Sequence, residues 1–326
     1  MTVPLIERFR ERLPVSERTP VVTLGEGSTP LLAAPRLAQA VGLRELWLKW
    51  EASNPTGSYK DRGMTLAVSK ALEEGAEAVL CASTGNTAAS AAAYAARAGL
   101  PAVVLTPQGA VAGAKLAQTR MLGAVVLEVQ GDFDAALSAA QELAARGSHV
   151  LVNSLNPYRR EGQKTAVLEI VEELEDAPDA FVLPYGGGGN TSSYAQALSE
   201  LGLGTPIVSV EAEKRRETLA SAIRIGDPVH ADAVRSAGAR VLHARDDEIV
   251  AAWRFLAAEE GLFCEPSSAA GLAAVLRGDV AGDRLVVTIT GHGLKDPAIA
   301  DRLAPAPVEV HPDPDAIDAA SRSVQG

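Results

Sequence analysis

Lys60 lies where a lysine amine could take part in chemistry. It follows a dense turn signal, Asn54–Ser58 (NPTGS), and a helix-forming run begins directly after it. The positive end of a helix dipole disfavours a protonated lysine at this place, and a neutral amine is what a Schiff base with a carbonyl compound requires. The alternative is an ordinary surface lysine beside Asp61 and Arg62 on a solvated helix.

A hydroxyl-rich segment, Ser83–Thr87 (STGNT), follows one predicted strand and opens a predicted helix. It therefore lies at the carboxyl edge of a sheet, where ligands bind in open α/β folds. Its hydroxyls and the free N–H groups of the helix start are suited to an anion. Simple N-capping by Thr84 or Asn86 is the alternative.

Four consecutive glycines, Gly186–Gly189, stand with Asn190 between another predicted strand and helix. Such a loop lets the backbone approach a phosphate closely. No lysine follows, which excludes a Walker loop, and Thr191 or Ser192 stands where a dinucleotide fingerprint has its third glycine. A nicotinamide oxidoreductase is therefore disfavoured, while some other phosphate ligand is indicated.

Basic residues cluster in Asn153–Thr165 (NSLNPYRREGQKT). A phosphate dianion in an acidic protein requires such a local, charge-assisted group. The alternative is that Arg159, Arg160 and Lys164 form one solvated helix face paired with Glu161.

The last predicted strand, Leu285–Thr290, runs into Gly291–Pro297 (GHGLKDP) and can present the Thr290 hydroxyl at the sheet edge. His292 could act as a general base, but a structural role is favoured. Just upstream, in the segment EPSSAA, Ser267 or Ser268 could cap the following helix, and Glu265 could line a pocket.

Composition indicates a soluble globular protein: 326 residues, 47% hydrophobic and 22% charged, with a net charge of -11. The acidic balance argues against nucleic-acid binding, which needs a basic face. Two cysteines give no disulfide framework and fit a reducing cytoplasm, where they are expected to be small buried residues. The N-terminus lacks the apolar core of a signal peptide, and no apolar stretch reaches the length of a membrane span.

Short apolar strands alternate with alanine-rich helices from about residue 51 onward, which predicts an α/β fold with a mostly parallel sheet. The predicted strands are Ala78–Ala82, Ala102–Thr106, Val125–Val129, Val150–Asn153, Phe181–Pro184, Ile207–Val210 and Leu285–Thr290. The predicted helices are Asp61–Glu74, Thr87–Ala98, Gly113–Leu122, Asp132–Ala145, Arg160–Leu174, Thr191–Leu201, Asp247–Glu260 and Ser267–Leu276.

The motifs together resemble one family. The string SNPTGSYKDRGM at residues 53–64 is similar to the lysine motif of the fold-type II pyridoxal-phosphate enzymes, which are related to the tryptophan synthase β-subunit. Within that group the NSLNPYRREGQKT and TGHGLKDP segments most resemble those of the threonine synthases. Two departures are Tyr59, where the family more often has phenylalanine, and GGGGN in place of the usual GNAGN, which puts contacts by the missing asparagine in doubt.

The resemblance implies that Lys60 carries pyridoxal 5'-phosphate, that Asn86 contacts the ring hydroxyl, and that Thr290, or less plausibly Thr288, contacts the ring nitrogen. The cofactor phosphate is expected at Gly186, Gly187, Gly188, Gly189 and Asn190. The residues implied to bind the substrate are Ser83, Thr84 and Thr87, with Lys115, Asn153 and Arg159 at its phosphate. No metal is implied.

The implied reaction converts O-phospho-L-homoserine and water to L-threonine and phosphate by γ-elimination and β-hydration. Alternatives are another fold-type II lyase or synthase, such as a threonine or serine dehydratase or a cysteate synthase-like enzyme, and a non-catalytic amino-acid or nucleotide sensor. The implied fold has two open, twisted, mostly parallel sheets covered by helices, with the cofactor in the cleft between domains. We expect a large domain (residues 1–50 and 154–310), an inserted small domain (51–153), a loose tail (311–326), and a cytoplasmic homodimer.

Overall fold

A computed structural model describes residues 3–109 and 113–323. Within these ranges the strands are β1 (Leu31–Ala33), β2 (Glu45–Trp50), β3 (Ala78–Ala82), β4 (Ala102–Pro107), β5 (Val125–Val129), β6 (His149–Leu151), β7 (Ala180–Pro184), β8 (Ile207–Ala212), β9 (Arg240–Ala244) and β10 (Arg284–Ile289). The α-helices are α1 (Leu5–Arg8), α2 (Pro35–Val41), α3 (Lys60–Glu73), α4 (Asn86–Ala98), α5 (Ala114–Met121), α6 (Phe133–Ala144), α7 (Pro157–Leu174), α8 (Gly189–Leu201), α9 (Ala231–Ser236), α10 (Asp246–Glu260), α11 (Ala270–Leu276), α12 (Pro297–Leu303) and α13 (Pro314–Ser323).

The strands form two sheets. The larger has the order β1-β2-β10-β7-β8-β9, and the smaller has the order β5-β4-β3-β6. All neighbours pair in parallel except β1, which is antiparallel to β2. The predicted pair of mostly parallel sheets is confirmed, and the central strands β3, β7 and β8 are buried along their whole length, as their continuous apolar runs require.

All seven predicted strands and eight predicted helices form close to their predicted bounds. The strands β1, β2 and β9 were not predicted. In β2 (ELWLKW) the apolar run is interrupted by Lys49, whose ammonium is buried and lies 2.9 Å from the Glu169 carboxylate. A charged side chain inside a strand is compensated there by a partner that is distant in sequence, so the strand's own residues do not show it.

Helices α3 and α7 cross at backbone contact, and this crossing positions the start of each. A Cβ on Gly162 of α7 would overlap the Arg62 carbonyl oxygen of α3. Only glycine allows such an approach. Nearby, Arg62 forms buried ion pairs with Glu51 and Glu169 at 2.7 and 2.6 Å, so the crossing is fixed by charge as well as by shape.

The described chain separates into two compact units, one up to Asp296 and one from Pro297 onward. The second unit contains α12 and α13, and α13 lies inside the segment 311–326 that composition predicts to be loose; residues 324–326 lie outside the described ranges. The predicted division at residues 50 and 153 stays a prediction. None of the described helices is both long enough and apolar enough to span a membrane.

Candidate active site

Lys60 is the first residue of α3, and the turn before it is pinned to the end of β10. The Tyr59 N–H donates to the Thr290 carbonyl at 3.0 Å, and the His292 N–H donates to the Gly57 carbonyl at 2.9 Å. The half-buried Lys60 amine donates to the Tyr59 hydroxyl at 2.6 Å. The strand end that carries Thr290 is therefore fixed directly against the lysine turn.

The helix that Lys60 begins is not solvated, so the interpretation of Lys60 as an ordinary surface residue is wrong. Asp61 and Arg62 are both fully buried. The Asp61 carboxylate accepts hydrogen bonds from the Thr56 N–H and hydroxyl, at 2.7 and 2.6 Å, and from the Ser90 hydroxyl at 2.6 Å. Burial raises the pKa of Asp61 to about 6, although these hydrogen bonds oppose the shift.

The Ser83–Thr87 segment joins β3 to α4, as predicted, but its side chains do not cap the helix. Gly85 occupies the N-cap position, and among the described residues no side chain caps the helix with a hydrogen bond. Buried Asn86 donates to the Glu265 carboxylate at 2.8 Å, while its Oδ1 atom has no partner in the described part of the chain. Thr84 is exposed, and Ser83 and Thr87 are half-buried.

The glycine loop forms the N-terminus of α8. Gly188 has a φ of +81°, and a Cβ there would lie 3.2 Å from His230. The His230 N–H donates to the Gly187 carbonyl at 3.0 Å, and its Nε2 lies 3.0 Å from the Ser154 carbonyl. Asn190 at the first turn is buried, and its amide nitrogen has no acceptor among the described residues. The loop thus combines the backbone N–H groups of a helix start with one side-chain donor that is unsatisfied within the described ranges, which fits a phosphate.

The two threonines of the last strand have different surroundings. Thr288 is fully buried, and its hydroxyl lies 2.8 Å from the Tyr194 hydroxyl in the core. The Thr290 hydroxyl lies 2.9 Å from that of Ser268, beside the lysine turn. Of the two, Thr290 is placed to meet a ligand. Ser268 also accepts from the Gly291 N–H at 2.9 Å.

The helix-capping interpretation of Ser267 and Ser268 is wrong. The short 3-10 helix Pro266–Ala269 has Glu265 at its N-cap, α11 has Ala269, and neither end has a side-chain cap bond. His292 contacts structural neighbours: its Nδ1 accepts from the Leu294 N–H at 3.2 Å, and its ring packs edge-on against Trp50.

Lys115 and Asn153, both expected at the substrate phosphate, already have partners within the protein. The Lys115 ammonium lies 2.6 Å from the Glu265 carboxylate and donates to the Ser221 hydroxyl at 2.9 Å. The Asn153 amide both donates to and accepts from the Ala82 backbone, at 2.8 and 2.9 Å. Asn153 therefore holds the end of β3, from which Ser83–Thr87 continues.

Arg159 does not lie on a solvated helix face. It is 1% exposed and donates to the Val152 carbonyl at 2.8 Å, while its Nε and Nη2 atoms have no acceptor in the described ranges. No carboxylate within those ranges forms an ion pair with it, and burial lowers its pKa. Lys164 is buried too, between Glu161 and Glu200. The solvated-face alternative is therefore wrong for both residues.

Several contact residues were not predicted as site residues. Glu265, Ser268, His230 and Lys295 join segments that are far apart in the sequence. Among these four, the sequence suggests a pocket position for Glu265 and only a helix cap for Ser268, which does not point to the Thr290 contact. Together with the predicted residues, they surround a site with a lysine amine, a glycine cradle, and two buried polar atoms that have no partner in the described ranges, the acceptor Oδ1 of Asn86 and the donor Nδ2 of Asn190. This combination of an amine, donors and one acceptor fits a phosphate-bearing, carbonyl-containing aromatic cofactor with a ring hydroxyl.

Comparison with known proteins gives consistent results. Residues 22–291 match the family described as pyridoxal-phosphate dependent enzyme. The chain is 48% identical over 321 residues to the threonine synthase of Synechocystis sp., covering 91% of this chain and 84% of that one. It is also 48% identical over 335 residues to the threonine synthase of Mycobacterium leprae, covering 94% and 93%.

Solved structures share the fold. A threonine deaminase from T.th. superposes with a TM-score of 0.72 at 28% identity, covering 89% of this chain and 97% of that one. Maize serine racemase superposes with a TM-score of 0.73 at 22% identity, covering 88% and 94%, and so supports the fold alone. The chain therefore belongs to the pyridoxal-phosphate dependent enzyme family and, within it, to the threonine synthase group.

Proposed function

We propose that this chain converts O-phospho-L-homoserine and water to L-threonine and phosphate. The observation that carries the proposal is the buried Arg159 guanidinium, which has two unsatisfied nitrogens and no carboxylate partner among the described residues. A buried, uncompensated cation is costly unless an anion binds to it. A planar guanidinium matches the oxygen spacing of a phosphate, so the substrate's own phosphate is the expected partner.

The position of Arg159 supports this assignment. A Cβ on Gly63, three residues after Lys60, would lie 2.8 Å from the Arg159 Nε atom. The guanidinium is therefore close to the first turn of the helix that presents the lysine. Lys115 lies near the turn that precedes Lys60, because its neighbour on α5, Gln118, donates to the Thr56 carbonyl at 3.4 Å. A substrate with a phosphate at one end and a reacting carbon near Lys60 fits this arrangement.

Pyridoxal phosphate supplies, when bound, an electron sink that makes the protons beside the substrate's amino group removable. In the proposed site Lys60 would hold the cofactor, and its amine would carry protons at the substrate carbons. Asn86 and Thr290 would orient the ring at its two polar positions. The amides of Gly186–Gly189 and the Asn190 side chain would hold the cofactor phosphate.

The proposal is tested by incubating the purified protein with phosphohomoserine and measuring phosphate and threonine together. We expect equal amounts of both products. Phosphate without threonine would point to elimination without hydration, and absence of phosphate would refute the proposal. Incubation with threonine or serine, followed by assay of the 2-oxo acid, tests the dehydratase alternative.

A sensor that keeps the fold without catalysis is tested by the absorption spectrum. We expect the purified protein to show the visible band of lysine-bound cofactor, and we expect Lys60→Ala to lose both the band and the activity. A colourless wild-type protein that cannot be loaded with the cofactor would favour the sensor.

Two further properties are proposed on the likeness to the threonine synthases. The protein is a cytoplasmic enzyme, in keeping with its two unpaired, buried cysteines. It is also a homodimer, which sedimentation of the loaded protein tests.

A further inference from the structure

Glu265 stands between a residue predicted to contact the cofactor and a residue predicted to contact the substrate. One carboxylate oxygen accepts from the Asn86 amide at 2.8 Å, and the other lies 2.6 Å from the Lys115 ammonium. Glu265 is 1% exposed. Asn86 begins α4 and Lys115 lies in α5. One buried carboxylate therefore joins two helices that follow neighbouring strands of the smaller sheet, β3 and β4.

Backbone hydrogen bonds and close packing hold Glu265 in place. The Glu265 N–H donates to the Gly291 carbonyl at 2.9 Å, and the Glu265 carbonyl accepts from the Ser268 N–H at 2.9 Å. A Cβ on Gly291 would overlap a Glu265 carboxylate oxygen. Any larger residue in place of Gly291 would displace the Glu265 side chain. Because the Glu265 side chain is packed so closely, it has little freedom to follow a partner that moves.

A second lysine ammonium, that of Lys295, lies near Glu265 and Lys115. Lys295 is buried, donates to the Thr56 carbonyl at 2.8 Å, and forms no ion pair within 4 Å in the described ranges. Burial, together with the nearby Lys115 ammonium, lowers the pKa of Lys295 to about 8, although Glu265 and Asp61 oppose the shift. If the Lys115 ammonium turns to another anion, the Lys295 ammonium still lies near the Glu265 carboxylate.

We propose that Glu265 is a positioning residue that couples phosphate binding at Lys115 to the Asn86 contact with the cofactor ring. The inference rests on the proposed function for the identity of the anion. A phosphate at Lys115 competes with Glu265 for one ammonium, and the carboxylate that loses this partner interacts more strongly with the Asn86 amide. Occupation of the phosphate site is thereby transmitted to the ring hydroxyl.

The test uses the cofactor-loaded protein and inorganic phosphate, without substrate. Calorimetry measures phosphate binding, and the visible absorption spectrum reports the surroundings of the ring. We expect phosphate to shift the wild-type band. Glu265→Gln removes the competing charge, so we expect it to bind phosphate at least about threefold more tightly and to show no band shift.

The matched control is Asp296→Asn. Asp296 lies 3.8 Å from the Lys115 ammonium and accepts from the Ser221 hydroxyl at 2.7 Å, and it has no hydrogen bond to Asn86 in the described structure. We expect the control to keep the phosphate-induced band shift. If Glu265→Gln does not fold, Glu265→Asp replaces it: this side chain is one methylene shorter, cannot span both partners, and is expected to lose the shift.

A wild-type band that does not respond to bound phosphate would overturn the inference, as would a Glu265 variant that responds like wild type. These results are distinguishable from failure of the proposed function. If the protein makes no threonine but shows the Glu265-dependent band shift, the proposed reaction is refuted and the coupling is supported. If it makes threonine but shows no band shift, the proposed reaction is supported and the coupling is refuted.

Discussion

Gly63 lies directly against Arg159: a Cβ at Gly63 would be 2.5 Å from the Arg159 carbonyl oxygen and 2.8 Å from its Nε atom. The two residues belong to helices α3 and α7, which carry the lysine turn and the proposed substrate-phosphate arginine. The close approach is what brings a guanidinium from a distant part of the chain to the first turn after Lys60. Local packing at one glycine therefore sets the distance between two parts of the proposed site.

Gly63→Ala is expected to lower the free energy of unfolding by about 1–3 kcal/mol and to raise the KM for phosphohomoserine. The added methyl group overpacks a helix crossing that cannot separate without disturbing the buried ion pairs of Arg62. Denaturant unfolding and steady-state kinetics measure the two effects. Gly204→Ala is the control, since a Cβ there meets nothing within 4 Å and the residue has no positive φ. An unchanged KM would show that Arg159 does not depend on this contact.

Arg159→Met should lower kcat/KM for phosphohomoserine by roughly a hundredfold, because it removes charge-assisted hydrogen bonds to a phosphate in a buried place. The cofactor band should remain, since Arg159 is not expected to contact the cofactor. Arg160→Gln, on the same helix, changes a guanidinium whose side-chain contact is Gln196 at 3.3 Å, and should have a much smaller effect. Equal losses in the two variants would contradict a specific role for Arg159.

The sequence predicts the architecture better than it predicts the contacts. Continuous apolar runs such as Ala78–Ala82 identify buried parallel strands, because both faces of the strand are covered in the structure. Strand β9 was not predicted, since it lies at the edge of the larger sheet and only Ala244, its last residue, is buried. Strand β2 was not predicted because Lys49 interrupts it and Glu169, the partner of that lysine, lies in a distant segment of the chain.

Dependence on distant segments also explains why some site residues are predicted and others are not. Lys60 and Asn86 stand in local motifs, so residue type and spacing point to them. Glu265 and Ser268 matter because of what they meet, namely Asn86 and Thr290, and pairings between distant segments leave no local pattern. The alternative for Ser268 is decided by the positions of the helix ends and the one for Arg159 by its burial, and neither can be read from a single segment.

Thr290→Val and Thr288→Val form a matched pair, since both remove one hydroxyl, the second from β10 and the first from the position directly after it. Thr290→Val should shift the visible band of the bound cofactor and weaken cofactor binding, because its hydroxyl faces the proposed ring site beside Ser268. Thr288→Val should instead lower the free energy of unfolding by about 1 kcal/mol, since it leaves the buried Tyr194 hydroxyl without its partner. Cofactor titration and denaturant unfolding separate the two. A band shift in Thr288→Val alone would reverse the assignment.

Asp61→Asn should change how stability depends on pH. Burial raises the pKa of Asp61 in the folded protein to about 6, above its ordinary value of 3.8. A carboxyl group whose pKa is raised by folding stabilises the folded state while it is protonated, and this contribution is lost as pH rises from about 4 through 6. The interval between 3.8 and about 6 corresponds to about 3 kcal/mol at full burial.

Denaturant unfolding of both proteins from pH 4 to pH 8 isolates this effect, because the other titrating groups are common to both and cancel in the difference. The stability of Asp61→Asn relative to wild type should rise by up to about 3 kcal/mol across this range. The asparagine can keep the Thr56 and Ser90 contacts, since both hydroxyls can reverse their roles and accept from its amide. A pH-independent difference would show that Asp61 titrates at its ordinary pKa, and that Thr56 and Ser90 compensate the carboxylate fully despite its burial.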